Sequence, residues 1–598
     1  MTSQALALAM EMARTGRTDE AEALLSRLLA ANPGDANALQ LLGMVARGRK
    51  DNEKAVALFR SSLQARPGQP HVLNNLGNAL LDLKRPGEAV TAYREALRLQ
   101  PDYRDAQTNL GLALLADGKA GEARLALEAV VEADPASGKA WSALGQALRS
   151  CNRLEEAVAA FQKSLSVRPG NVATLHNLAV ALRLSGQAQP ALELLQHCAA
   201  ASPASAEIRY NLGHCLYDLG RLDEAAGAYE AAVRLRPGYR DAHDSLNRLY
   251  WQIESPKYLS SYAEALAADP RDPGLLADLA NRLNLGGRTR ETIALLEDAV
   301  APGVESAEIS HRLGQACWAE ERRQDALGHF ARAIDLDPAR DEYRLELVRS
   351  LIILERYREA LDALDSVRRR SPFDQQAIAF EGLAWRFLGD VRAERLNDYE
   401  RFVQAFALQP PPGWGDSASF NRRLEQVLIG LHNTRNHPLE QTLRGGTQTM
   451  GELFDRDAPE IAVLRRMIED AVRDYLAGLP EDPDHVFLGR KSASFRFSGS
   501  WSVRLRSQGF HLNHLHSEGW ISSCYYVALP SAVARGEEGW IKFGETGLCL
   551  GERERIARTL QPEVGKLILF PSYMYHGTIP FDENGGYRTT IAFDIVPD

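Results

Sequence analysis

The sequence predicts a two-part fold, an all-α solenoid of helical hairpins followed by a β domain of sandwich or jelly-roll type with flanking helices. Three observations carry that prediction. Prolines stand at Pro33, Pro67, Pro101, Pro135, Pro169, Pro203 and Pro237, each 34 residues after the last. The helical pattern stops at Gln409-Pro410-Pro411-Pro412-Gly413, a stiff extended stretch. Beyond Phe487 the chain turns to short alternating runs broken by Gly and Pro, as strands do.

Between the prolines the same register is filled in again and again. Leu42-Gly43, Leu76-Gly77, Leu110-Gly111, Leu144-Gly145 and Leu212-Gly213 share one phase, and Glu88-Ala89, Glu156-Ala157 and Glu224-Ala225 share another. Each unit reads as two short amphipathic helices with small residues where they cross, and proline stops the second helix. A single unit cannot bury its apolar face, so stacking supplies the stability and leaves a long concave groove as the functional surface. The rhythm loosens over 240–272, which lacks one residue, and over 273–306, where Ala301-Pro302-Gly303 replaces the usual ending. This pattern resembles the tetratricopeptide repeat, in about eleven units from residue 2 to about 374 with a less regular helical stretch to about 408. The expected division is 1–408 for the solenoid, 409–416 for a linker and 417–598 for the β domain.

Asn75, Asn109, Asn177 and Asn211 occupy one position of the first helix of their units, with Ala143 interrupting the series. Asparagine is a mediocre helix former, so its recurrence wants a reason. An inward-facing amide both donates and accepts, which suits holding a peptide backbone whatever its sequence. A similar ladder grips polypeptide in the repeats of O-GlcNAc transferases, and that resemblance implies a protein or peptide substrate bound at these four residues. The alternative is a solvated helix face copied by duplication.

Bulk properties exclude several classes of function. The 598 residues carry a net charge of -10 without long single-sign runs, so nothing advertises nucleic acid. The one basic cluster, Arg368 to Arg370, ends a predicted helix, where cations suit the dipole. Six scattered cysteines form no metal-binding spacing and read as reduced thiols. The N-terminus lacks the pattern of a signal peptide, and no window approaches the ~18 apolar residues of a membrane span. The expectation is a cytoplasmic protein that binds neither membrane nor nucleic acid.

In the β domain, 416–445 still reads as partly helical and 459–478 as an amphipathic helix with Ile461, Leu464, Ile468, Val472 and Leu476 on its apolar side. Strands are expected at 493–497, 501–505, 523–527, 566–570 and 589–593. Of the 14 histidines, His511, His514 and His516 fall between two of these strands, and His576 follows another. A pair at alternate positions points both imidazoles to one side, and a third from a distant strand closes one face of a metal, leaving other positions open. Alternation cannot turn all three clustered histidines inward, so His511 is expected to be structural or exposed. Arg588 and Thr590 face one way on the last strand, where arginine can bind a carboxylate bidentately with help from the hydroxyl. Tyr526 and Tyr575 are within reach of such a pocket, although aromatic residues near a sheet are more often core.

Histidine motif, distal histidine and Arg-x-Thr, in that order, resemble the iron(II)- and 2-oxoglutarate-dependent oxygenases. More narrowly, Asn513-His514-Leu515-His516, Gly519-Trp520-Ile521-Ser522-Ser523, Leu569-Phe570-Pro571-Ser572 and His576 are similar to a bacterial subgroup often fused to tetratricopeptide repeats. His437-Pro438-Leu439 and Arg444-Gly445-Gly446-Thr447-Gln448-Thr449 also fit, so the resemblance covers about 420–598. It implies a double-stranded β-helix, iron ligation by His514 and His576, and a clamp of Arg588 and Thr590 on 2-oxoglutarate. The implied activity is that of a dioxygenase hydroxylating a protein or peptide recruited by the solenoid. One position departs from the pattern: the usual acid two residues after the first histidine is His516. The metal set is therefore His514, His516 and His576, preferred over a set using Glu518 because Gly519 begins the turn toward Trp520. Two other readings stay open, a non-catalytic scaffold with a degenerate jelly roll and a three-histidine dioxygenase that does not use 2-oxoglutarate.

Overall fold

Why each hairpin ends where it does is visible in the computed structural model, which describes residues 2–300, 303–432, 442–449, 451–583 and 585–597. Helix Thr18–Ala31 makes its last backbone bond from Asn32 N to Leu28 O, and Pro33 has no N–H with which to add another. The same ending recurs at Arg66, Gln100, Asp134, Arg168 and Ser202, each followed by a proline of the 34-residue series. Inside the hairpin, glycine is needed for contact. A Cβ on Gly77 would lie 2.6 Å from the ring of Tyr93, and one on Gly145 would lie 2.7 Å from Phe161. That close crossing explains the recurrent Leu-Gly pair.

The chain divides into two compact units, Met1–Pro203 and Ala204–Asp598. The first consists of six such hairpins, from Thr2–Arg14 with Thr18–Ala31 to Val172–Leu184 with Ala188–Ala201. The second continues with hairpins of the same kind, among them Ala206–Asp218 with Leu222–Leu235 and Asp341–Ile353 with Tyr357–Arg370. The irregular unit at 240–272 has a second helix of only nine residues, Ser260–Ala268. Buried Asn247 stitches its unwound start, accepting from Leu259 N at 2.6 Å and donating to Ser261 Oγ at 2.7 Å. Of the irregular ending at 301–303, Ala301 and Pro302 lie outside the described residues. Together these elements form an all-α tetratricopeptide-repeat solenoid followed by an antiparallel β region of jelly-roll type.

Among the described residues the β region has nine strands: β1 (Gln404–Ala407), β2 (Leu443–Gln448), β3 (Phe495–His511), β4 (Ile521–Ala528), β5 (Ile541–Phe543), β6 (Arg558–Leu560), β7 (Lys566–Pro571), β8 (His576–Thr578) and β9 (Arg588–Pro597). A six-stranded antiparallel sheet runs β1-β7-β4-β9-β3-β2, and a three-stranded one runs β6-β5-β8. The outer face of the larger sheet is covered by helix Pro459–Gly478, whose Ile461, Leu464, Ile468, Val472 and Leu476 are all buried in the same core as Leu567 and Leu569 of β7. Two expectations need correction. Helix Ser417–Leu431 ends well before 445, and Leu443–Gln448 is strand, because Gly446 lets β2 approach so closely that a Cβ there would lie 2.5 Å from Arg504 O. The sheet also begins before residue 408, since β1 pairs with β7.

The proline-rich stretch does not hold the β region apart from the last repeats of its own unit. Leu548 and Leu550, from the loop between β5 and β6, share an apolar core with Leu345, Val348, Leu351 and Leu383. Arg553 in the same loop donates to Ile353 O at 3.1 Å and to the Tyr357 hydroxyl at 2.8 Å. All six cysteines are free. Among the described residues no helix is long and apolar enough to cross a membrane.

Candidate metal centre

Where β3 ends at His511 the chain bends, and Asn513 pins the bend by donating to Glu545 Oε2 at 2.9 Å and to Thr546 O at 3.1 Å. His514 then bridges to His576 of β8 through two backbone hydrogen bonds, N to O in both directions at 2.9 Å. His516 N donates to Ser572 O at 3.0 Å. The two histidine-bearing segments are thus zipped together by main chain, which sets the imidazoles before any metal arrives.

One ring nitrogen from each of His514, His516 and His576 lies within 4.8 Å of the others. His514 Nε2 and His516 Nε2 stand 3.2 Å apart. The remaining nitrogens are anchored outward: His514 Nδ1 against Leu512 O at 2.8 Å, His576 Nδ1 against Met574 O at 3.0 Å, and His516 Nδ1 against Asp594 Oδ1 at 2.6 Å. Carbonyl and carboxylate oxygens only accept, so each Nδ1 carries the hydrogen and each Nε2 keeps a lone pair. Two lone pairs facing each other at 3.2 Å repel unless a cation lies between them. Burial, followed by the neighbouring imidazoles, holds His514 down to about 3 and His576 far below the usual histidine range. Both therefore stay neutral, the form that binds metal. The donor set fits a divalent transition metal.

These histidines open into a cavity of about 320 Å³ between the two sheets. Arg588, Thr590, Ala592 and Asp594 line it from alternate positions of β9. Arg588 is 1% exposed, donates from Nε to Gly539 O at 3.1 Å, and sits 5.1 Å over the ring of Tyr526. No carboxylate among the described residues pairs with it. A buried guanidinium without a counter-ion, opening on a cavity, is suited to a ligand carboxylate. Trp501, with its ring 5.7 Å from that of His516, lines another wall.

The remaining sequence candidates separate clearly. His511 is half-buried, lines the same cavity with its Nδ1 3.3 Å from Thr442 Oγ1, and stands outside the three-histidine cluster. Strand alternation does not carry beyond it because β3 stops at His511. Glu518 is exposed at the cavity and stands outside the histidine cluster. Tyr526 is buried beneath Arg588, and Tyr575 packs among core residues. His437, Pro438 and Leu439 lie outside the described residues. In the solenoid, Asn75 is half-buried beside Met44, Arg47 and Asp82. Asn109 is buried, donating to Asn74 Oδ1 at 2.9 Å and accepting from Lys139 Nζ at 2.8 Å. Asn177 is half-buried, and Asn211 donates to Glu207 O of its own helix at 3.0 Å. Sequence reasoning missed Asp594. Following the period of two from Arg588 and Thr590 along β9 leads to it.

Residues 499–594 match the family model described as "Putative 2OG-Fe(II) oxygenase", and residues 1–247 match that of the cilia and flagella-associated protein 70 C-terminal domain. No curated protein matches the chain. Similar solved structures include yeast Tom70, 14% identical over 66% of this chain and 97% of its own, with a TM-score of 0.38. A tetratricopeptide repeat protein from Parabacteroides merdae is 17% identical over 42% of this chain and 98% of its own, with a TM-score of 0.37. Pseudomonas aeruginosa PilF is 21% identical over 34% and 94%, with a TM-score of 0.31.

Proposed function

We propose that the β region is an iron(II)- and 2-oxoglutarate-dependent oxygenase, a hydroxylase whose substrate is a protein or peptide recruited by the repeats. The observation that carries this reading is one cavity holding three imidazoles with converging Nε2 atoms and a buried arginine that no carboxylate among the described residues pairs with. His514, His516 and His576 hold the metal through Nε2. Arg588 and Thr590 hold the distal carboxylate of 2-oxoglutarate. Iron(II), when bound, supplies dioxygen activation coupled to oxidative decarboxylation of 2-oxoglutarate to succinate and CO₂. The chain's own part is to fix the three imidazoles by backbone pairing, to neutralise the co-substrate with Arg588, and to keep water away between two sheets. Trp501 and the exposed Glu518 line the same cavity. Recruitment rests on the repeat fold together with Asn75, Asn177 and Asn211. Asn109 serves the cohesion of neighbouring units.

Anaerobic titration of 2-oxoglutarate into iron- or manganese-loaded protein tests the co-substrate. Saturable binding is expected, and under air a slow release of succinate without added substrate. Metal binding without any 2-oxoglutarate binding would favour a three-histidine dioxygenase of another kind. For the repeats, replacing Asn75, Asn177 and Asn211 together by alanine leaves folding intact, because alanine is the better helix former. If that variant retains its partners at unchanged affinity, the asparagines are a relic of duplication.

A further inference from the structure

The three imidazoles bring no negative charge to a divalent metal, yet a carboxylate lies one hydrogen bond away. Asp594 is 6% exposed, and its Oδ1 takes the Nδ1–H of His516 at 2.6 Å. The same oxygen accepts from Ser522 Oγ at 2.6 Å, and Ser522 Oγ is 2.8 Å from Ser572 Oγ. Ser572 also receives the backbone N–H of His516 on its carbonyl. A closed ring of contacts therefore ties Asp594, Ser522 and Ser572 to the histidine that stands where an acid is expected. No arginine or lysine pairs with Asp594 among the described residues, so this buried charge is directed at His516.

We propose that Asp594 is a positioning residue that acts through His516, fixing its Nε2 toward the metal and supplying from behind the imidazole the negative charge that the ligands lack. This rests on the metal-centre reading above. The carboxylate holds the hydrogen on Nδ1, so the ring has one orientation and one tautomer, and it makes the imidazole a stronger donor. Leu512 O and Met574 O fix the other two rings but are neutral carbonyls. His516 is thereby the most electron-rich of the three, and the centre is closer in charge to one with two histidines and an acid. Ser522 keeps the carboxylate from rotating away.

The test uses the full chain, stripped of metal and titrated with Co(II) against a chromophoric chelator. Asp594→Asn is expected to bind Co(II) about 10- to 100-fold more weakly than the parent. In the Co(II)-loaded parent, three exchangeable Nδ1–H resonances are expected outside the diamagnetic range. Asp594→Asn should move one of them and leave the other two, and Asp594→Glu should restore affinity in part. Because Asp594 is buried, Ser522→Ala provides a second variant that keeps the charge, with an expected weakening of a few fold. Parent-like affinity and unchanged resonances in Asp594→Asn, or parent-like affinity in Ser522→Ala should Asp594→Asn fail to fold, overturn the proposal while leaving the metal centre standing. A parent that binds no Co(II) overturns the metal centre itself.

Discussion

The hairpins and the β region bury their side chains by different means. In the hairpins a contact is local and repeated: Gly77 meets Tyr93, Gly145 meets Phe161, and Gly213 meets Tyr229 within one unit each. In the β region the decisive contacts join distant parts of the chain. His514 pairs with His576, and His516 with Asp594, across strands that adjoin only in the finished sheet. A repeat can lose one contact and keep its neighbours, whereas the histidine cluster forms only when the whole sheet has closed.

The largest expected effect lies at that centre. His516→Ala and His576→Ala should each abolish stoichiometric metal binding, as read by metal analysis after gel filtration, while Glu518→Ala should keep it. Loss of metal in Glu518→Ala together with its retention in His514→Ala would move the ligand set to His516, Glu518 and His576. Next is Arg588→Ala, which should weaken 2-oxoglutarate binding by about 1.5–3 kcal/mol, measured by anaerobic calorimetry. An unchanged affinity would return Arg588 to a structural role.

Acid should weaken both regions, in part through His311 and His432. Burial brings His311, in a repeat helix, down to about 3, and His432, beside the sheet, down to about 4. Both are neutral when folded but take up protons when unfolded below about pH 6.5. Their stabilising effect is full above that value and fades as pH falls toward the folded values, amounting to about 2 kcal/mol each by pH 5. Denaturant melts of His311→Leu and His432→Gln should show a shallower loss between pH 7 and pH 5. Two glycines of one hairpin give a paired contrast whose Gly227 member is the smallest effect. A Cβ on Gly213 would lie 2.5 Å from the Tyr229 ring, whereas Gly227 has nothing within 4 Å. Gly213→Ala should cost about 1–3 kcal/mol, and Gly227→Ala should stabilise by about 0.5–1 kcal/mol. Equal melting shifts would break the packing argument.

The same difference decides what the sequence made legible. A 34-residue period repeats its message, so the hairpins, their proline stops and their glycine crossings could be read from residues alone. In the β region, strands long enough to alternate were found, and the spacing of His514, His516 and His576 singled out the three imidazoles that the structure brings together. The three-residue strands β5, β6 and β8 are too short to carry a period, and β1 and β2 hide in stretches that read as helical. His511 lines the cavity beside the two later histidines because strand alternation ends with β3. Asp594 went unread because a lone acid near a chain's last strand looks like any surface charge until its partner is seen. The Asn109 amide could not be known to be spent on Asn74 and Lys139, since that network crosses between units.

The loop that carries Arg553 has a practical consequence for anyone dividing this protein. A fragment begun at the proline-rich stretch would lose β1, leaving β7 as a bare edge. It would also strip the cover from Leu548 and Leu550 and leave the Arg553 guanidinium without Ile353 O and Tyr357. Such a piece should aggregate on expression. A cut upstream of Asp341 keeps the last hairpin, the edge strand and the loop's apolar seat together, and that is the shorter chain in which to look for chemistry.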